Sequence, residues 1–246
     1  MQNEWWKTFF DEHYIALWGI HGMFKHTPRE VNFLVKNIPL KEKNKILDLC
    51  CGHGRHSIGL ARRGFEVVGL DYSAYELDLA RKEAGRRHLD VKFIKGDART
   101  FRSTQQFDVI INMFTAFGYG SEKDDRQILQ TVSRNLKKGG KFFIDLMSLV
   151  WIWRNYKIKR FEKAKDYTIK AERHFDFLTN VNYERRIITK DKFKKEMTNG
   201  IRMYSLAKLS ELLAAYRLEV VRYWGSYKGE SYGLKSKRML VLAKKV

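Results

Sequence analysis

The chain has 246 residues, 44% of them hydrophobic, which is enough to bury a large core as one domain or as one domain with an insertion. Its longest apolar run, residues 141–153, is interrupted by Asp145 and too short to span a bilayer, and no signal peptide is visible at the N-terminus. The two cysteines, Cys50 and Cys51, are adjacent, so they suit neither an ordinary disulfide nor a Cys–His metal site. We therefore expect a cytoplasmic protein that has neither a metal nor a membrane partner.

The formal net charge of +20 is unevenly distributed. Residues 151–246 hold 24 Lys and Arg against 10 Asp and Glu, whereas residues 1–150 hold 24 against 18. This excess in the C-terminal part suggests an anionic partner, either nucleic acid or an acidic substrate. A general lysine bias of the source proteome would explain it equally well, and both explanations stay open.

The first 43 residues are predicted to form amphipathic helices. Aromatic side chains recur there at helical spacing, namely Trp5, Trp6, Phe9, Phe10, Tyr14 and Trp18. A second helix should begin near Thr27 as N-cap, with Pro28 in its first turn. Such an aromatic stripe usually serves packing, but an aromatic face also attracts a cation by roughly 0.5–2 kcal/mol.

Residues 44–71 read as strand, glycine turn, helix and strand. Gly52 and Gly54 free the turn of side chains, so a ligand can lie against bare peptide groups and the N–H groups of the following helix. Asp71 ends the second strand, where a carboxylate can accept hydrogen bonds from both hydroxyls of a ribose. The unit therefore predicts a ligand that contains adenosine.

The details of the turn separate two ligand classes. A dinucleotide-binding turn needs a third glycine, and Ser57 stands at that position. Asp48-x-x-x-Gly52-x-Gly54 instead resembles motif I of the class I S-adenosylmethionine-dependent methyltransferases. The resemblance implies S-adenosylmethionine as cofactor and S-adenosylhomocysteine as product, with Asp48 near the methionine amino group. It also implies that N-terminal helices fold over the cofactor, and that Arg55 contacts its methionine end unless it forms only a surface salt bridge.

Further elements follow in the order expected for this family. Ser73 to Arg87 should be a helix in which Ser73 and Glu76 form a capping box. A third strand, residues 91–94, precedes Gly96-Asp97-Ala98, and the resemblance implies that Asp97 and Ala98 bind the adenine.

The fourth strand, residues 107–113, runs into Phe114 at the switch point of such sheets, where ligands gather. In the family this stretch lies beside the transferred methyl group. The (Asn/Asp)-Pro-Pro-(Tyr/Phe) signature of many enzymes that methylate exocyclic amines of bases is absent. Phe114 and Phe117 are expected to wall the transfer chamber, and a fifth strand should cover residues 141–147.

Residues 151–200 do not fit a further strand–helix unit. Residues 167–177 and 181–189 alternate and are rich in strand-forming residues, which predicts an antiparallel, basic insertion. A helix over 205–216 and a closing antiparallel hairpin, 219–224 with 238–243, complete the chain.

The predicted fold class is α/β: a Rossmann-like, seven-stranded, mostly parallel sheet of order 3-2-1-4-5-7-6, with helices on both faces and an antiparallel β insertion after strand five. We expect a helical lid over 1–43, a cofactor-binding core over 44–150 and 201–246, and a basic cap over 151–200. Cys-Gly-His-Gly-Arg-His at 51–56 and Phe-Gly-Tyr at 117–119 resemble one subgroup of the family, whose substrates are generally unassigned.

The predicted function is transfer of a methyl group to a small-molecule acceptor. The alternative is methylation of tRNA or rRNA through the basic C-terminal part. A dehydrogenase or a non-catalytic nucleotide-binding module is a third class. His174 and Tyr119 are the candidate general bases, although an exposed histidine is usually solvated and a tyrosine usually packs. Predicted substrate contacts are Phe117, Tyr119 and Arg173. Predicted cofactor contacts are Asp48, Cys51, Gly52, Gly54, Arg55, Asp71, Tyr72, Asp97, Ala98, Asn112, Met113, Phe114, Tyr14 and Trp18.

Overall fold

The computed structural model describes residues 4–15, 22–164, 166–191 and 193–246. One sheet consists of β1 (Lys45–Leu49), β2 (Glu66–Asp71), β3 (Lys92–Lys95), β4 (Phe107–Asn112), β5 (Leu136–Met147), β10 (Leu218–Trp224) and β11 (Arg238–Lys245). A second sheet consists of β6 (Lys159–Ala164), β7 (Tyr167–Asp176), β8 (Val181–Lys190) and β9 (Phe193–Arg202). The helices are α1 (Trp6–Phe9), α2 (Thr27–Asn37), α3 (Arg55–Ala61), α4 (Ala74–Arg86), α5 (Glu122–Asn135), α6 (Leu149–Arg154) and α7 (Leu206–Ala214), and a 3-10 turn, Met23–His26, precedes α2.

The larger sheet has the strand order β10-β11-β5-β4-β1-β2-β3. Strands β1 to β5 pair in parallel, whereas β11 is antiparallel to both β5 and β10. The predicted order 3-2-1-4-5-7-6 is therefore confirmed, with β10 and β11 as its sixth and seventh strands. The antiparallel insertion after strand five is confirmed as well.

Helices cover both faces of this sheet. Leu34 of α2 packs with Ile46 and Val109 on one face. Leu47 and Ile110, the next residues along β1 and β4, pack instead against α5 and α7. Successive strand residues point to opposite faces, so both faces are buried, which explains why the parallel strands read as continuous apolar runs.

The insertion holds four strands, of which only the central pair was predicted. β9 was missed because Lys, Glu, Asn and Gly make up half of it, and Phe193, Thr198 and Ile201 are its only aromatic or β-branched residues. Strand five is also longer than predicted and begins at Leu136 rather than Lys141. Gly139 lies in this additional segment and has φ of 78°, a backbone conformation that residues other than glycine rarely adopt.

Two predicted caps differ from the structure. Thr27 is the first residue of α2, not its N-cap, and its hydroxyl donates to the Phe24 carbonyl at 2.8 Å. Ser73 does cap α4, since its Oγ accepts from the Glu76 N–H at 3.2 Å. The Glu76 carboxylate, however, lies against His53 rather than Ser73, so the capping box was wrong in its second half.

Among the described helices, none combines the length and the apolar character that crossing a membrane would require.

Candidate functional site

A pocket opens at the carboxyl ends of β1, β2 and β4. The loops after these strands and after β3 supply most of its walls, because the carboxyl ends of parallel strands meet at one edge of the sheet. The N-terminal segment adds Trp6, Phe10 and Tyr14 from the opposite side. The pocket therefore lies at the place predicted for the ligand, between the sheet edge and an aromatic cover.

The turn after β1 leaves no room for further side chains. Gly52 has φ of 54°, and a Cβ on it would lie 2.4 Å from Oε2 of Glu76. Gly54 has φ of 74°, and a Cβ there would lie 2.9 Å from that of Ala80. Cys50 adopts φ of 63° without being a glycine, and it lines the pocket together with Cys51. Cys50 was missed because nothing in the sequence indicates that a cysteine takes the left-handed conformation here.

Asp71 lines the pocket and accepts two backbone hydrogen bonds. Its Oδ2 accepts from the Gly52 N–H and its Oδ1 from the Ser73 N–H, both at 2.8 Å. Burial raises the pKa of Asp71 to about 6, against the opposing effect of these N–H groups. Each carboxylate oxygen has a second lone pair, so Asp71 can still accept hydrogen bonds from a ligand.

Glu76 is a second pocket carboxylate, and sequence reasoning missed it as a site residue. It is 3% exposed, and its Oε2 lies 3.2 Å from Nδ1 of His53. The His53 ring in turn packs edge-on against Phe24, with ring centroids 4.5 Å apart. The sequence did place Glu76 in the first turn of the helix that follows Asp71, but we interpreted the residue as part of a capping box and not as a site residue.

A buried polar cluster supports the turn from behind. Asp48 does not line the pocket; its Oδ2 accepts from the Ser57 hydroxyl at 2.6 Å, and its Oδ1 has no hydrogen-bond partner among the described residues. Glu30 binds both Arg55 and His56, the latter at 2.9 Å. Despite its burial, the neighbouring His56 and Arg55 hold the pKa of Glu30 at about 2. Arg55 therefore forms a buried ion pair with Glu30 and also lines the pocket. It does not form the surface salt bridge that was the alternative expectation for this residue.

The segment after β4 is held in an unusual backbone conformation. Phe114 and Thr115 have φ of 61° and 64°, and their N–H groups donate to Oδ2 and the carbonyl of Asp145 at 2.9 and 2.8 Å. The guanidinium groups of Arg55 and Arg238 lie over the Phe114 ring, 5.1 and 5.7 Å from its centroid. Non-glycine residues in this region cost roughly 1–3 kcal/mol each, and such strain concentrates at functional sites.

Asn112 and Met113 occupy different places. Met113 and Phe114 line the pocket, as predicted contacts would, but Asn112 lies behind them and is fully buried. Its Nδ2 donates to the carbonyls of Leu49 and Ala116, at 2.9 and 3.2 Å. Asn112 therefore ties the ends of β1 and β4 together.

Asp97, Ala98 and Tyr72 line the far end of the pocket. Burial favours the neutral form of Asp97, but its hydrogen bonds from Arg99 outweigh this and lower its pKa. Arg99 also binds Asp124 at 2.9 Å and lies over the Trp6 ring at 5.5 Å. Arg99, another missed residue, thereby joins the loop after β3 to the N-terminal cover.

Three of the predicted aromatic residues, Tyr14, Phe117 and Tyr119, line the same pocket. Tyr119 packs against Trp5 and Phe10, with ring centroids 4.6 and 5.9 Å apart, and burial raises its pKa well above the usual value. Phe117 is fully buried, also lines the pocket and packs against Tyr204, with ring centroids 5.6 Å apart. Trp18 lies outside the described residues.

The two predicted site residues of the insertion do not line the pocket. Along β7 the side chains alternate between a buried face, here called the inner face, and an exposed outer face. His174 lies on the outer face, opposite Tyr183, and is exposed. Arg173 lies on the inner face, where its Nε donates to Glu184.

Comparisons with known proteins agree on one family. Residues 46–140 match the family described as "Methyltransferase domain". The cypemycin N-terminal methyltransferase of a Streptomyces species is 29% identical over 206 residues, which cover 80% of this chain and 81% of that one.

Solved structures show the same fold over nearly the whole chain. The CcbJ methyltransferase from Streptomyces caelestis aligns with a TM-score of 0.81 at 18% identity, over 90% of each chain. CalS10, an S-adenosylmethionine-bound amino pentose methyltransferase from Micromonospora echinaspora, aligns with a TM-score of 0.67 at 21% identity, over 96% of this chain and 97% of its own.

Proposed function

We propose that this chain, a class I S-adenosylmethionine-dependent methyltransferase, transfers the methyl group to a small-molecule acceptor. The observation that carries the proposal is the pocket itself, which is lined by two carboxylates, Asp71 and Glu76, and by aromatic side chains that include Tyr14 and Phe114. The cypemycin relative and the amino pentose enzyme are named for acceptors that are not nucleic acids, which supports the same class.

The pocket fits the cofactor in three respects. The missing Cβ of Gly52 lets the Glu76 carboxylate lie against the glycine turn, where both residues line the pocket. Asp48 is buried behind the glycine turn and not on the pocket wall, so its carboxylate would favour the ammonium of a methionine group through its field and not by contact. Aromatic side chains line the pocket, among them Phe10, Tyr14 and Tyr119, which suits a cationic ligand.

We assign the cofactor contacts on this basis. Asp71 and Glu76 would share the ribose hydroxyls, since both oxygens of Asp71 already accept backbone hydrogen bonds. Asp97 and Ala98 would hold the adenine, and Arg55 the methionine carboxylate. When bound, the cofactor supplies an electrophilic methyl group on a sulfonium.

The protein's own contribution is alignment and exclusion of water. Alignment of two reactants is worth up to about 7–11 kcal/mol in favourable models. We assign residues 1–43 as lid and residues 151–200 as cap, with Tyr14, Phe117 and Tyr119 enclosing the acceptor. Because burial keeps the Tyr119 phenol protonated, Tyr119 would act as a hydrogen-bond donor rather than a base. No base role is assigned to His174, which faces away from the pocket.

The test is calorimetric titration with S-adenosylhomocysteine, with NAD as control. We expect S-adenosylhomocysteine alone to bind. Glu76→Gln should weaken its binding by about 1–3 kcal/mol, because a hydrogen bond to a charged acceptor is replaced by one to a neutral amide. The matched control is Glu83→Gln on the same helix, whose carboxylate binds Arg86 and Arg87 at the surface. Binding of NAD instead, or equal effects of both variants, would contradict the assignment.

A further inference from the structure

A second cavity runs along the side of the molecule, next to the cofactor pocket. We call it the side groove; it is lined by residues from three segments, 24–31 around the start of α2, 53–63 on and after α3, and 79–87 on α4. Helix α3 packs against both α2 and α4, so the groove follows this short helix. Phe24, His53 and Arg55 line the side groove and the cofactor pocket alike, so the two cavities meet at these residues.

Between its charged residues, the side groove is lined by an apolar strip. Pro28 and Val31 of α2, Ile58 of α3 and Leu79 of α4 contribute their side chains to it. Gly59 stands near the middle of α3, and a Cβ on it would lie 2.6 Å from Cγ2 of Val31. The missing side chain therefore lets α2 approach α3 closely, and the strip continues from one helix to the next.

The charged lining of the side groove is strongly basic. A single carboxylate, that of Glu83, stands among six cationic side chains, which are Arg55, Arg62, Arg63, Lys82, Arg86 and Arg87. Three of these cations have carboxylate partners, because Arg55 binds Glu30 while Arg86 and Arg87 both bind Glu83. These pairs use the only carboxylate of the lining, so the groove keeps an excess of positive charge.

The other three cations have no anionic partner. Arg62 and Lys82 are exposed, and their side chains form no hydrogen bond or ion pair within the part of the chain that the structure describes. Arg63, which is exposed as well, donates to the amide oxygen of Asn32, a neutral group. Charges of one sign that line a cleft with apolar walls focus their field into it, so the side groove attracts an anionic partner.

Two features favour a protein segment over a nucleic acid as that partner. Proteins that bind single strands stack successive bases on aromatic side chains, but the rings of Phe24 and His53 pack edge-on against each other, with centroids 4.5 Å apart. An apolar strip flanked by cations instead matches an amphipathic helix that carries acidic residues along its apolar face. At about 1.5 Å per residue the stretch from Arg55 to Arg62 is about 10 Å long, which about two turns of a partner helix would cover.

We propose that the side groove is a docking site for an acidic amphipathic helix of a partner protein. Carboxylates of the partner pair with Arg62, Arg63 and Lys82, and its apolar face covers Pro28, which is exposed, and Leu79, which is half-buried. The docked helix lies beside the cofactor pocket, where the two cavities meet. This inference goes beyond methyl transfer and does not depend on the identity of the acceptor.

The probe is a synthetic peptide of about 18 leucine and glutamate residues with blocked ends, in which the leucines recur at helical spacing. It is titrated calorimetrically into the full chain at about 0.15 M salt, beside a peptide of the same composition in scrambled order and beside poly(U) RNA. We expect the patterned peptide to bind at least about tenfold more tightly than the scrambled one, because the two carry equal charge and only the first presents an apolar face.

The decisive variant combines Arg62→Glu with Lys82→Glu. It should weaken binding of the patterned peptide by at least about tenfold, because it places like charges against the carboxylates of the peptide. The matched control combines Lys170→Glu with Lys244→Glu, which makes the same change in net charge at exposed lysines of β7 and β11 and should keep the affinity. Because Arg62 and Lys82 have no partners to lose, the melting temperature of the decisive variant should match that of the unaltered protein.

Equal binding of the two peptides, or binding of neither, would overturn the inference. Equal losses in the two double variants would also overturn it, since net charge alone would then attract the peptide. If poly(U) binds more tightly than the patterned peptide and loses affinity in the decisive variant, the side groove is a nucleic-acid site instead. The titrations need no cofactor, so their result is independent of the proposed methyltransferase function.

Discussion

Asp71 shows how the environment of a single residue sets its chemistry. Its carboxyl is buried beside Glu76 and Asp48, and burial is the main reason why its pKa is about 6. A ribose hydroxyl donates best to an ionised carboxylate, so a proton on Asp71 competes with the ligand. The acidity of this one group therefore enters directly into cofactor binding.

We predict that the affinity for S-adenosylhomocysteine depends on pH through Asp71. Above about pH 6 the carboxylate is ionised and the affinity should be constant. Below that pH the proton is bound first, and the affinity should fall by up to about tenfold per pH unit. The effect is measured by calorimetric titrations at several values between about pH 5 and about pH 8, which bracket the pH at which Asp71 titrates.

Asp71→Asn should bind more weakly and lose this pH dependence. The control is Asp125→Asn, because Asp125 also has a pKa raised to about 6 by burial but bonds Tyr204 and Arg202. That variant should keep the pH dependence. A pH profile that Asp71→Asn leaves unaltered would show that another group is responsible.

At the scale of elements, β4, β5 and β11 are joined through one buried carboxylate. Asp145 is nearly inaccessible; it accepts from Arg238 Nε and the Tyr227 hydroxyl, both at 2.7 Å, and from the Phe114 N–H. These bonds hold the segment after β4 in its left-handed conformation. The strands that close the sheet thus support the wall proposed for methyl transfer.

We predict that Arg238→Met lowers the free energy of unfolding by about 3–5 kcal/mol, because it leaves the Asp145 carboxylate buried without its cation. Urea denaturation measures the change. The control is Arg222→Met on the preceding strand, whose exposed guanidinium lies 5.1 Å from the Trp224 ring centroid. Its loss should cost about 1 kcal/mol or less. Equal losses in the two variants would mean that Asp145 has sufficient other partners.

For the whole molecule, the surface and the pocket differ in charge. The chain carries +20 overall, yet Asp71, Glu76, Asp97 and Asp124 all line the pocket. The two arginines on its wall are both ion-paired, Arg55 with Glu30 and Arg99 with Asp97. A positive exterior with an acidic pocket fits a cationic cofactor inside and leaves polyanions to the outer surface.

We predict that bulk RNA binds weakly at the surface and does not compete with S-adenosylhomocysteine. Its affinity should fall steeply as salt is raised, because phosphate contacts release counterions, whereas the affinity for S-adenosylhomocysteine should change little. Filter binding alongside calorimetry at several salt concentrations measures both. Lys170→Glu, on the outer face of β7, should weaken RNA retention alone. Methylation of the RNA would contradict the small-molecule assignment and favour the RNA alternative.

Local patterns sufficed for the architecture of the larger sheet. The apolar runs, the glycine turn and the positions of Asp71 and Asp97 after their strands specify consecutive parallel units, and short right-handed connections leave few ways to assemble these. Backbone periodicity is a property of neighbouring residues, so it is visible in the chain. The same reasoning gave the pocket's position and fewer than half of the residues that line it.

Other features arise only when distant segments meet. Glu76 reads as a helix cap until the fold places it against His53. β6 and β9 become strands because pairing with β7 and β8 compensates for their weak propensity. His174 and Arg173 are neighbours in sequence, but strand register puts one in solvent and the other beside Glu184. A shift of one residue in that register would exchange the two faces, and the alternation along one strand does not by itself say which face the rest of the fold buries.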